Sequence, residues 1–383
     1  MKTALREEGM REMKKSLGIY LHVPFCVQKC RYCDFCSVAG RSAEKITEYC
    51  QRLAESVGGF AERAGDFSVD TVYFGGGTPS LMSLRDAELI MNTLASRYDI
   101  SSGAEITFEC NPATADLEYF RGLRSLGVNR ISMGLQSALD SELALLGRIH
   151  TAKEFSTTFN DARRAGFDNI SADLMYGIPD QTMESFRYSI DYLASHEPEH
   201  ISSYALSVEE GTYFYKHRAE LSLADDDTQS DMYLECVSRL GKSGYERYEI
   251  SNFAKDGKYS RHNTRYWRRL DYLGFGVAAH SCFDGKRFGN SRDISAFLRG
   301  EDITEESTML TYEDERAEYI MLGLRLAEGI DTEEFFRRFG EKIEENPITR
   351  KYIENGFMRL SDGRLSFEDK GFLVSNTILS DII

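Results

Sequence analysis

Residues 18–36 read GIYLHVPFCVQKCRYCDFC. The apolar start of this stretch predicts a buried strand over residues 18–23, and Pro24 begins a loop. The loop contains Cys26, Cys30, Cys33 and Cys36. The first three have the spacing C-x3-C-x2-C, so that three thiolates on one loop can bind three irons of a cubane cluster and leave the fourth iron open. Zinc sites usually combine two separated cysteine pairs, which this stretch lacks, and zinc is therefore kept only as the alternative.

The composition is that of a large globular protein. The chain has 383 residues, of which 42% are hydrophobic and 28% are charged, and these values exclude disordered and low-complexity classes. The formal net charge of −16 disfavours a general nucleic-acid binder, because such proteins need cations to neutralise phosphates. The other cysteines are scattered singly, at Cys50, Cys110, Cys236 and Cys282.

The sequence also carries information about location. No stretch has the length and apolar character of a membrane span. Residues 1–15 carry charges of both signs and no apolar run, which predicts that they are not a signal peptide. We therefore expect a cytoplasmic protein with no transmembrane segment, and peripheral association with a membrane stays open. Clustered thiols in such a protein are metal ligands or redox groups more often than disulfides.

Short β-branched and aromatic runs alternate with longer amphipathic stretches, which is typical of βα units around a parallel sheet. Strands are predicted at 18–23, 71–74, 105–109, 130–134, 169–175 and 200–206. Helices are predicted near 43–63, 84–98, 116–126, 152–165, 182–195 and 227–240. These units predict an α/β fold that is a partial or complete barrel, or an open doubly wound sheet.

The pattern changes after about residue 244. Two aromatic-rich segments, 245–253 and 272–277, flank a polar stretch and predict antiparallel additions to the sheet. From about Tyr312 the chain is helical, and a Ser-Asp-Gly turn at 361–363 predicts a hairpin. The predicted divisions are an N-terminal segment 1–17, a barrel 18–243, an extension 244–310 and a small helical, winged-helix-like C-terminal domain 311–383.

The cysteine loop and the residues before it resemble the radical S-adenosylmethionine (SAM) superfamily. The resemblance rests on the C-x3-C-x2-C spacing and on the aromatic Tyr32 before the third cysteine, and the preceding YLHVPF is similar to the coproporphyrinogen III oxidase-like family within it. It implies a partial (β/α)6 TIM-like barrel, a [4Fe–4S] cluster on Cys26, Cys30 and Cys33, and SAM bound at the open iron. In this superfamily an electron from the reduced cluster cleaves SAM to methionine and a 5′-deoxyadenosyl radical.

Further motifs place polar residues at successive predicted strand ends. The run GGGTP at 75–79 follows the second strand, where glycines permit a close backbone approach and free amides can bind an anion. Each polar residue alone would be a surface or capping residue, but together they suggest one polar ring over a barrel mouth, with Arg148 on a helix segment. The resemblance assigns to SAM binding Tyr20, Gly76, Gly77, Thr78, Glu109, Gln136, Arg148 and Asp173, with Tyr32 and Ala205 near the adenine or a second ligand.

Two features separate branches of this family. Coproporphyrinogen dehydrogenases continue the cysteine motif as C-x3-C-x2-C-x-C, but Phe35 stands at that fourth position here and Cys36 comes one residue later. The form Cys-Asp-Phe resembles the HemW haem-chaperone branch, in which Cys36 would be a bystander. The segment RHNTRYW at 261–267 matches the H-N-x-x-Y-W signature of that branch and contains the only tryptophan of the chain. The resemblance therefore makes His262, Tyr266 and Trp267 candidate haem-site residues.

Three hypotheses follow. The first is a haem-binding chaperone that keeps the cluster and the SAM site and passes haem to a haem protein. The second is an enzyme that oxidatively decarboxylates coproporphyrinogen III to protoporphyrinogen IX with SAM as oxidant. The third is a zinc-stabilised protein whose C-terminal module binds nucleic acid, which the acidic charge disfavours. The first two imply haem or a porphyrinogen as ligand, a reductant such as flavodoxin or ferredoxin, and, for the first, a haem-accepting protein.

Overall fold

A computed structural model describes residues 14–383 of the chain. Residues 1–13 of the predicted N-terminal segment 1–17 lie outside the described residues, and its residues 15–17 belong to the first strand. The barrel region contains β1 (Lys15–Val23), β2 (Phe25–Cys26), β3 (Val38–Ala39), α1 (Ala43–Phe60), β4 (Phe67–Gly76), α2 (Leu84–Arg97), β5 (Asp99–Cys110), α3 (Leu117–Ser125), β6 (Arg130–Gln136), α4 (Asp140–Leu146), α5 (Ala152–Arg164), β7 (Ile170–Tyr176), α6 (Met183–Ala194), β8 (His200–Ala205), α7 (Tyr213–Lys216) and α8 (Asp226–Lys242).

The extension and the C-terminal unit follow. The extension contains β9 (Glu246–Arg247), β10 (Asn252–Ala254), α9 (Arg261–Trp267), β11 (Tyr272–Phe275), β12 (His280–Phe283), β13 (Lys286–Asn290), α10 (Ile294–Arg299) and β14 (Thr304–Met309). The C-terminal unit contains α11 (Tyr312–Gly323), β15 (Ile330–Asp331), α12 (Thr332–Phe339), α13 (Pro347–Glu354), β16 (Met358–Ser361), β17 (Arg364–Phe367), α14 (Asp369–Leu373) and α15 (Ser375–Ile382). In the described part of the chain, no helix combines the length and apolar character needed to cross a bilayer.

One mixed sheet organises the barrel and the extension. Its twelve strands have the order β14-β13-β12-β11-β1-β4-β5-β6-β7-β8-β10-β9. The strands from β11 through β8 run parallel, and the other pairings are antiparallel. The sheet is not closed, because β8 pairs with β10 and β1 pairs with β11 instead of with each other. The predicted partial barrel is therefore confirmed, with β11 as a seventh parallel strand.

Side chains alternate between the two faces of the parallel strands. On β1, Leu17, Ile19, Leu21 and Val23 are fully buried under the surrounding helices. Burial of each such aliphatic side chain stabilises the fold by ~1.5–3 kcal/mol. The other face, inside the barrel, is polar, as β4 and β5 illustrate. Its buried side chains on these two strands are Thr71, Tyr73, Glu105 and Thr107, and Glu109 is half-buried near the end of β5. Apolar packing between the outer face of the sheet and the helices thus stabilises the barrel, and the inner face can carry polar side chains.

Helix α9 crosses the lower end of the open barrel, opposite the cysteine loop. The chain leaves β10 at one end of the barrel arc and returns in β11 at the other end, so that α9 spans the gap between them. The carboxylate of Glu105 on β5 accepts from the backbone N–H groups of Arg261 and His262, which satisfies two free donors at the helix N-terminus. Because α9 is held by the strands of the barrel, it forms a floor beneath the polar interior.

The C-terminal unit has a core of its own. Phe335, Leu365 and Ile378 are among its fully buried residues, and the predicted hairpin is present as β16 and β17 with β15 as a third strand. An isolated bridge between Glu249 and Leu326 joins this unit to the extension. The division of the chain at residues 17, 243 and 310 stays a prediction.

Two details of the predicted elements are wrong. The segment 272–277 was expected to add an antiparallel strand, but β11 pairs parallel with β1, from Gly18 with Tyr272 onward. Arg148 was expected on a helix, but α4 ends at Leu146 because Gly147 adopts a left-handed conformation with φ of 74°. Arg148 therefore lies in a loop, from which its side chain returns over the barrel mouth.

Candidate functional site

A pocket at the upper end of the barrel is lined by the cysteine loop and by side chains from the strand ends. The predicted residues that line it are Cys26, Cys30, Cys33, Tyr32, Gly76, Gly77, Thr78, Glu109, Gln136, Arg148 and Asp173. Cys36 is not among the lining residues. Its sulfur side is packed against the apolar core, and its carbonyl accepts from Nε2 of His22 at 2.8 Å. The structure therefore groups the three predicted cluster ligands and leaves the fourth thiol apart.

The glycine loop after β4 holds the cysteine loop in place. The backbone N–H of Gly77 donates to the carbonyl of Val23 at 2.8 Å, and that of Thr78 donates to the carbonyl of Phe25 at 2.7 Å. A Cβ atom on Gly77 would lie 2.7 Å from the Phe25 carbonyl oxygen, so no other residue fits without a shift of backbone. The amides of Gly76, Gly77 and Thr78 are thus already used within the protein, so the expectation that free amides of this loop bind an anion is not met in this structure.

Two side chains donate hydrogen bonds to cluster cysteines. The hydroxyl of Thr78 donates to Sγ of Cys26 at 3.6 Å, and Nη1 of Arg148 donates to Sγ of Cys30 at 3.6 Å. Nη2 of Arg148 also donates to Oδ1 of Asn111 at 3.1 Å. Such donors stabilise sulfur in its charged thiolate form, which is the form that binds iron.

The arrangement of the donor side chains distinguishes a site for an iron–sulfur cluster from a site for a single metal ion. Among the described residues, no three His, Cys, Asp or Glu side chains are close enough together to share one ion. A zinc site would need its sulfurs gathered at ~2.3 Å from one centre. A cubane places each thiolate on a different iron and needs no such convergence. The grouping of the three cysteines therefore favours the iron–sulfur cluster over zinc.

The remaining lining residues fit the polar groups of SAM. Nε of Arg148 is buried and has no hydrogen-bond partner in the described part of the chain, so a guanidinium donor is left for a carboxylate ligand. The carboxylate of Glu109 accepts from the hydroxyl of Tyr73 at 2.8 Å and from the backbone N–H of Gly76 at 3.2 Å. Gln136 adopts a left-handed φ of 70°, a strained conformation for a non-glycine residue that is typical of functional sites.

Burial controls the charge of the two carboxyl groups. Together with the nearby charge of Asp173, it raises the pKa of Glu109 to about 7, against the hydrogen bonds from Tyr73 and Gly76. It also raises the pKa of Asp173 to about 6, against a hydrogen bond from Ser202 and the positive charge of Arg130. Both groups are therefore poised to change charge when a cationic ligand such as a sulfonium enters the pocket.

Two of the candidates, Ala205 and Tyr20, do not line the pocket, and several residues that do line it had no assigned role, among them Tyr204 and Asn111. Ala205 does not line the pocket, whereas its neighbour Tyr204 does and donates to Oε1 of Gln136 at 3.0 Å. The alternation of side chains along β8 was the signal that could have corrected this register. Tyr20 lies one layer below the pocket, where its ring stacks on Tyr73 with centroids 6.1 Å apart. Asn111, which holds Arg148, was quoted in its motif but given no role.

Comparisons with known proteins cover nearly the whole chain. Residues 20–193 match the model of the Radical SAM superfamily, and residues 310–374 match that of the HemN C-terminal domain. The Heme chaperone HemW of Bacillus subtilis is 32% identical over 371 residues, which are 94% of this chain and 97% of that relative. The chain belongs to the HemW family of the radical SAM superfamily. The Heme chaperone HemW of Escherichia coli is 35% identical over 329 residues, which are 85% of this chain and 86% of that relative.

A solved structure confirms the fold of this HemW-family chain. Coproporphyrinogen III oxidase (HemN) from Escherichia coli superposes with a TM-score of 0.85, covering 96% of this chain and 90% of that protein at 22% sequence identity. At this identity the similarity establishes the architecture alone. Membership of the radical SAM superfamily makes a [4Fe–4S] cluster and SAM the cofactors of this chain. The assignment of individual residues to them stays a proposal.

The H-N-x-x-Y-W segment of the HemW family lies far below the pocket, in α9. His262 is fully buried in the floor of the barrel. Its Nδ1 lies 2.9 Å from the hydroxyl of Thr71, and its Nε2 lies 2.8 Å from the hydroxyl of Tyr266. Burial, together with the positive charges of Arg265 and Arg130, lowers the pKa of His262 to about 3, so its imidazole is neutral. In this conformation both ring nitrogens are occupied within the protein.

Trp267, the third candidate, is half-buried at the end of α9 and faces the C-terminal unit. It lines a cleft of about 400 Å³ together with Leu270, Tyr319 and Arg338. Its indole Nε1 is buried without a hydrogen-bond partner in the described part of the chain. The three haem candidates therefore do not share one surface, since His262 points into the barrel and Trp267 lines the cleft.

We expect Glu109→Gln to weaken SAM binding by about 10- to 100-fold, which is the loss of a hydrogen bond to a charged group. Because the pKa of Glu109 is about 7, its carboxyl group is charged above that pH and neutral below it. Wild-type SAM affinity should therefore fall as the pH decreases through 7, while the Gln variant should respond much less. Anaerobic calorimetry of the reconstituted protein measures both, with the exposed Glu118→Gln as control. Wild-type affinity that does not change with pH would contradict the role of this carboxylate.

Proposed function

We propose that this chain binds haem and delivers it to haem-accepting proteins, and that it holds its [4Fe–4S] cluster and SAM at the barrel mouth. The observation that carries the proposal is the relationship to HemW along nearly the whole chain. Phe35 supports it, because this residue is 68% exposed where the dehydrogenase motif has a fourth cysteine. We further propose a cytoplasmic location, a flavodoxin or ferredoxin as reductant and no role in nucleic-acid binding.

The pocket residues have separable roles in this proposal. Cys26, Cys30 and Cys33 hold the cluster, and Arg148 both donates to Cys30 and offers its free Nε to the SAM carboxylate. The carbonyls of the glycine loop accept from the SAM amino group. Glu109, Gln136 and Asp173 accept from hydroxyl and amino donors, and Tyr32 packs beside the cluster. When bound, the cluster and SAM supply one-electron cleavage of the sulfonium. The chain's own contribution is to orient the ligand and to set the charge around it.

Haem ligation by His262 requires a change of conformation. A nitrogen of its ring can reach a haem iron only if it gives up the contact to Thr71 or to Tyr266. Since α9 is attached at its ends by short loops to β10 and β11, its withdrawal would expose His262, Tyr266 and Trp267 together. We therefore propose that haem is captured when α9 leaves the barrel floor, with aromatic side chains packing on the macrocycle and an imidazole available for its iron.

Anaerobic titration with haem, followed by absorption spectroscopy, tests this function. Wild-type protein should bind haem and display the bands of an imidazole-ligated iron. His262→Gln, which can keep hydrogen bonds to Thr71 and Tyr266, should lose those bands, whereas His280→Ala, at an exposed position of β12, should keep them. Absence of haem binding in the wild type would contradict the proposed function. Unchanged bands in His262→Gln would remove only this residue from the haem site.

A further inference from the structure

Two arginines of the described residues are fully buried, and they differ in their partners. Arg265 forms an ion pair with Asp70. Arg130 is 1% exposed, forms no ion pair within the described part of the chain, and has a buried Nε without a hydrogen-bond partner there. Burial raises the pKa of the pocket carboxyl groups Glu109 and Asp173, and the charge of Arg130 opposes that rise, but neither group is close enough to pair with it. A buried, unpaired guanidinium destabilises the folded state, so its presence indicates a partner from outside the chain.

Arg130 belongs to a row of side chains that face the barrel interior beneath the SAM pocket. Backbone register places four such residues side by side on neighbouring strands, and we call them the inner row: Tyr20, Tyr73, Thr107 and Arg130. Ser132, the next inward-facing residue of β6, lines the SAM pocket, so the inner row lies one layer below it. Oγ1 of Thr107 is also buried without a partner among the described residues. Two adjacent members of the row therefore carry unsatisfied polar atoms.

Helix α9 covers the tyrosine end of the inner row from the floor of the barrel. The ring centroid of His262 lies 5.2 Å from that of Tyr73 and 6.3 Å from that of Tyr20. The two tyrosine rings are stacked on each other, 6.1 Å apart. Because Arg130 is the first residue of β6, it lies at the same end of the barrel. Withdrawal of α9, proposed above for haem capture, uncovers a surface that is aromatic at one end and cationic at the other.

We propose that the inner row binds haem through a propionate, with Arg130 paired to the carboxylate and the macrocycle packed on Tyr20 and Tyr73. Haem combines a flat macrocycle with two propionates, which matches this surface. A guanidinium presents parallel N–H donors that fit a carboxylate, and the hydroxyl of Thr107 donates to the same group. The propionate neutralises the charge that the closed protein leaves unpaired. The inference rests on the proposed function, because it requires haem to enter where α9 leaves.

The test compares haem with haem dimethyl ester, which keeps the macrocycle and the iron but lacks the propionate charges. Both are titrated anaerobically into the reconstituted full chain in the same mild detergent and followed by absorption. The wild type should bind haem at least about tenfold more tightly than the ester, which is the loss of a hydrogen-bonded charge pair. Arg130→Met should abolish this preference, and Arg130→Lys should keep part of it. Arg121→Met, at an exposed position of α3, is the matched control and should keep the full preference.

Urea denaturation without haem separates a ligand site from a structural role. Arg265→Met removes a guanidinium that has its carboxylate partner inside the fold, so its unfolding midpoint should fall clearly below that of the wild type. Arg130→Met removes an unpaired charge, so its midpoint should stay close to that of the wild type. An equal fall in both variants would overturn the inference, since Arg130 would then serve the fold as Arg265 does.

The titrations distinguish failure of the inference from failure of the proposed function. Equal affinity of the wild type for haem and for its dimethyl ester would overturn the inference and leave the proposed function standing. A preference for haem that survives in Arg130→Met would have the same consequence, because another cation would then bind the propionates. Failure of the wild type to bind either compound would contradict the proposed function itself, and the inference with it.

Discussion

Cys30→Ala abolishes the iron–sulfur cluster, whereas Cys36→Ala retains it: this is the largest difference that we expect between two single substitutions. Cys30 lines the pocket and accepts a hydrogen bond from Arg148 at 3.6 Å. Cys36 lies outside the pocket, half-buried against the core. Loss of one of three ligands leaves a second iron of the cluster with no protein ligand, while Cys36→Ala removes only a small, partly buried sulfur.

Iron and sulfide analysis after anaerobic reconstitution measures this difference, together with the visible absorption of the cluster. Cys50→Ala is a further control, because Cys50 is fully buried in α1 and serves the core alone. Equal loss of iron in Cys30→Ala and Cys36→Ala would show that the choice of ligands is wrong. Full retention of iron by Cys30→Ala would also contradict the assignment of Cys30 as a cluster ligand.

The second large effect is expected at Arg265 in α9. This guanidinium is 2% exposed, pairs with Asp70 and donates to the carbonyls of Ser16 and Asp271 at 2.9 and 2.8 Å. We expect Arg265→Ala to lower the free energy of unfolding by ~3–5 kcal/mol, because it leaves the carboxylate of Asp70 without its buried partner. Arg261 also faces Asp70, at 3.9 Å, but its side chain is 50% exposed. Arg261→Ala should therefore lower the free energy of unfolding by less than ~1 kcal/mol.

Urea denaturation followed by the fluorescence of Trp267, the only tryptophan, reports this loss directly at α9. A double variant, Asp70→Asn with Arg265→Met, should recover part of the stability because no charge is then left unpaired. Equal stability of Arg265→Ala and Arg261→Ala would contradict the role of α9 as the floor of the barrel.

Local patterns were sufficient for most of the barrel. The helix predicted over 152–165 is present as α5, residues 152–164, and begins with a capping box formed by Thr151 and Glu154. The strand predicted over 130–134 extends to Gln136, because its apolar residues stay buried on the outer face until that end. In both cases the periodicity of buried side chains and the local capping residues agree with the final structure.

The extension was harder to predict because its structure depends on distant residues. The segment RHNTRYW has no apolar stripe, and α9 forms where Glu105 and Asp70 hold its N–H groups and its arginine. These partners are more than 150 residues away in sequence. The same crossing of the barrel floor explains why β11 returns parallel to β1. Tertiary contacts therefore override the local polar pattern here.

The site was predictable where motif and fold coincide. The cysteine loop, the glycine loop and three strand residues meet in one pocket as expected: Glu109 and Gln136 at the ends of β5 and β6, and Asp173 in the middle of β7. The haem candidates were chosen by resemblance alone, and a sequence motif does not reveal that His262 has both nitrogens occupied inside the barrel. Which side of a helix faces solvent is decided by what packs against it.

The most direct test of the account is anaerobic turnover of coproporphyrinogen III by the reconstituted protein with SAM and a reductant. The exposed Phe35 in place of a fourth cysteine and the relationship to HemW predict that no protoporphyrinogen IX forms, although the cluster is intact and haem is bound. Sustained formation of protoporphyrinogen IX would contradict the chaperone function and would identify the chain as a coproporphyrinogen dehydrogenase.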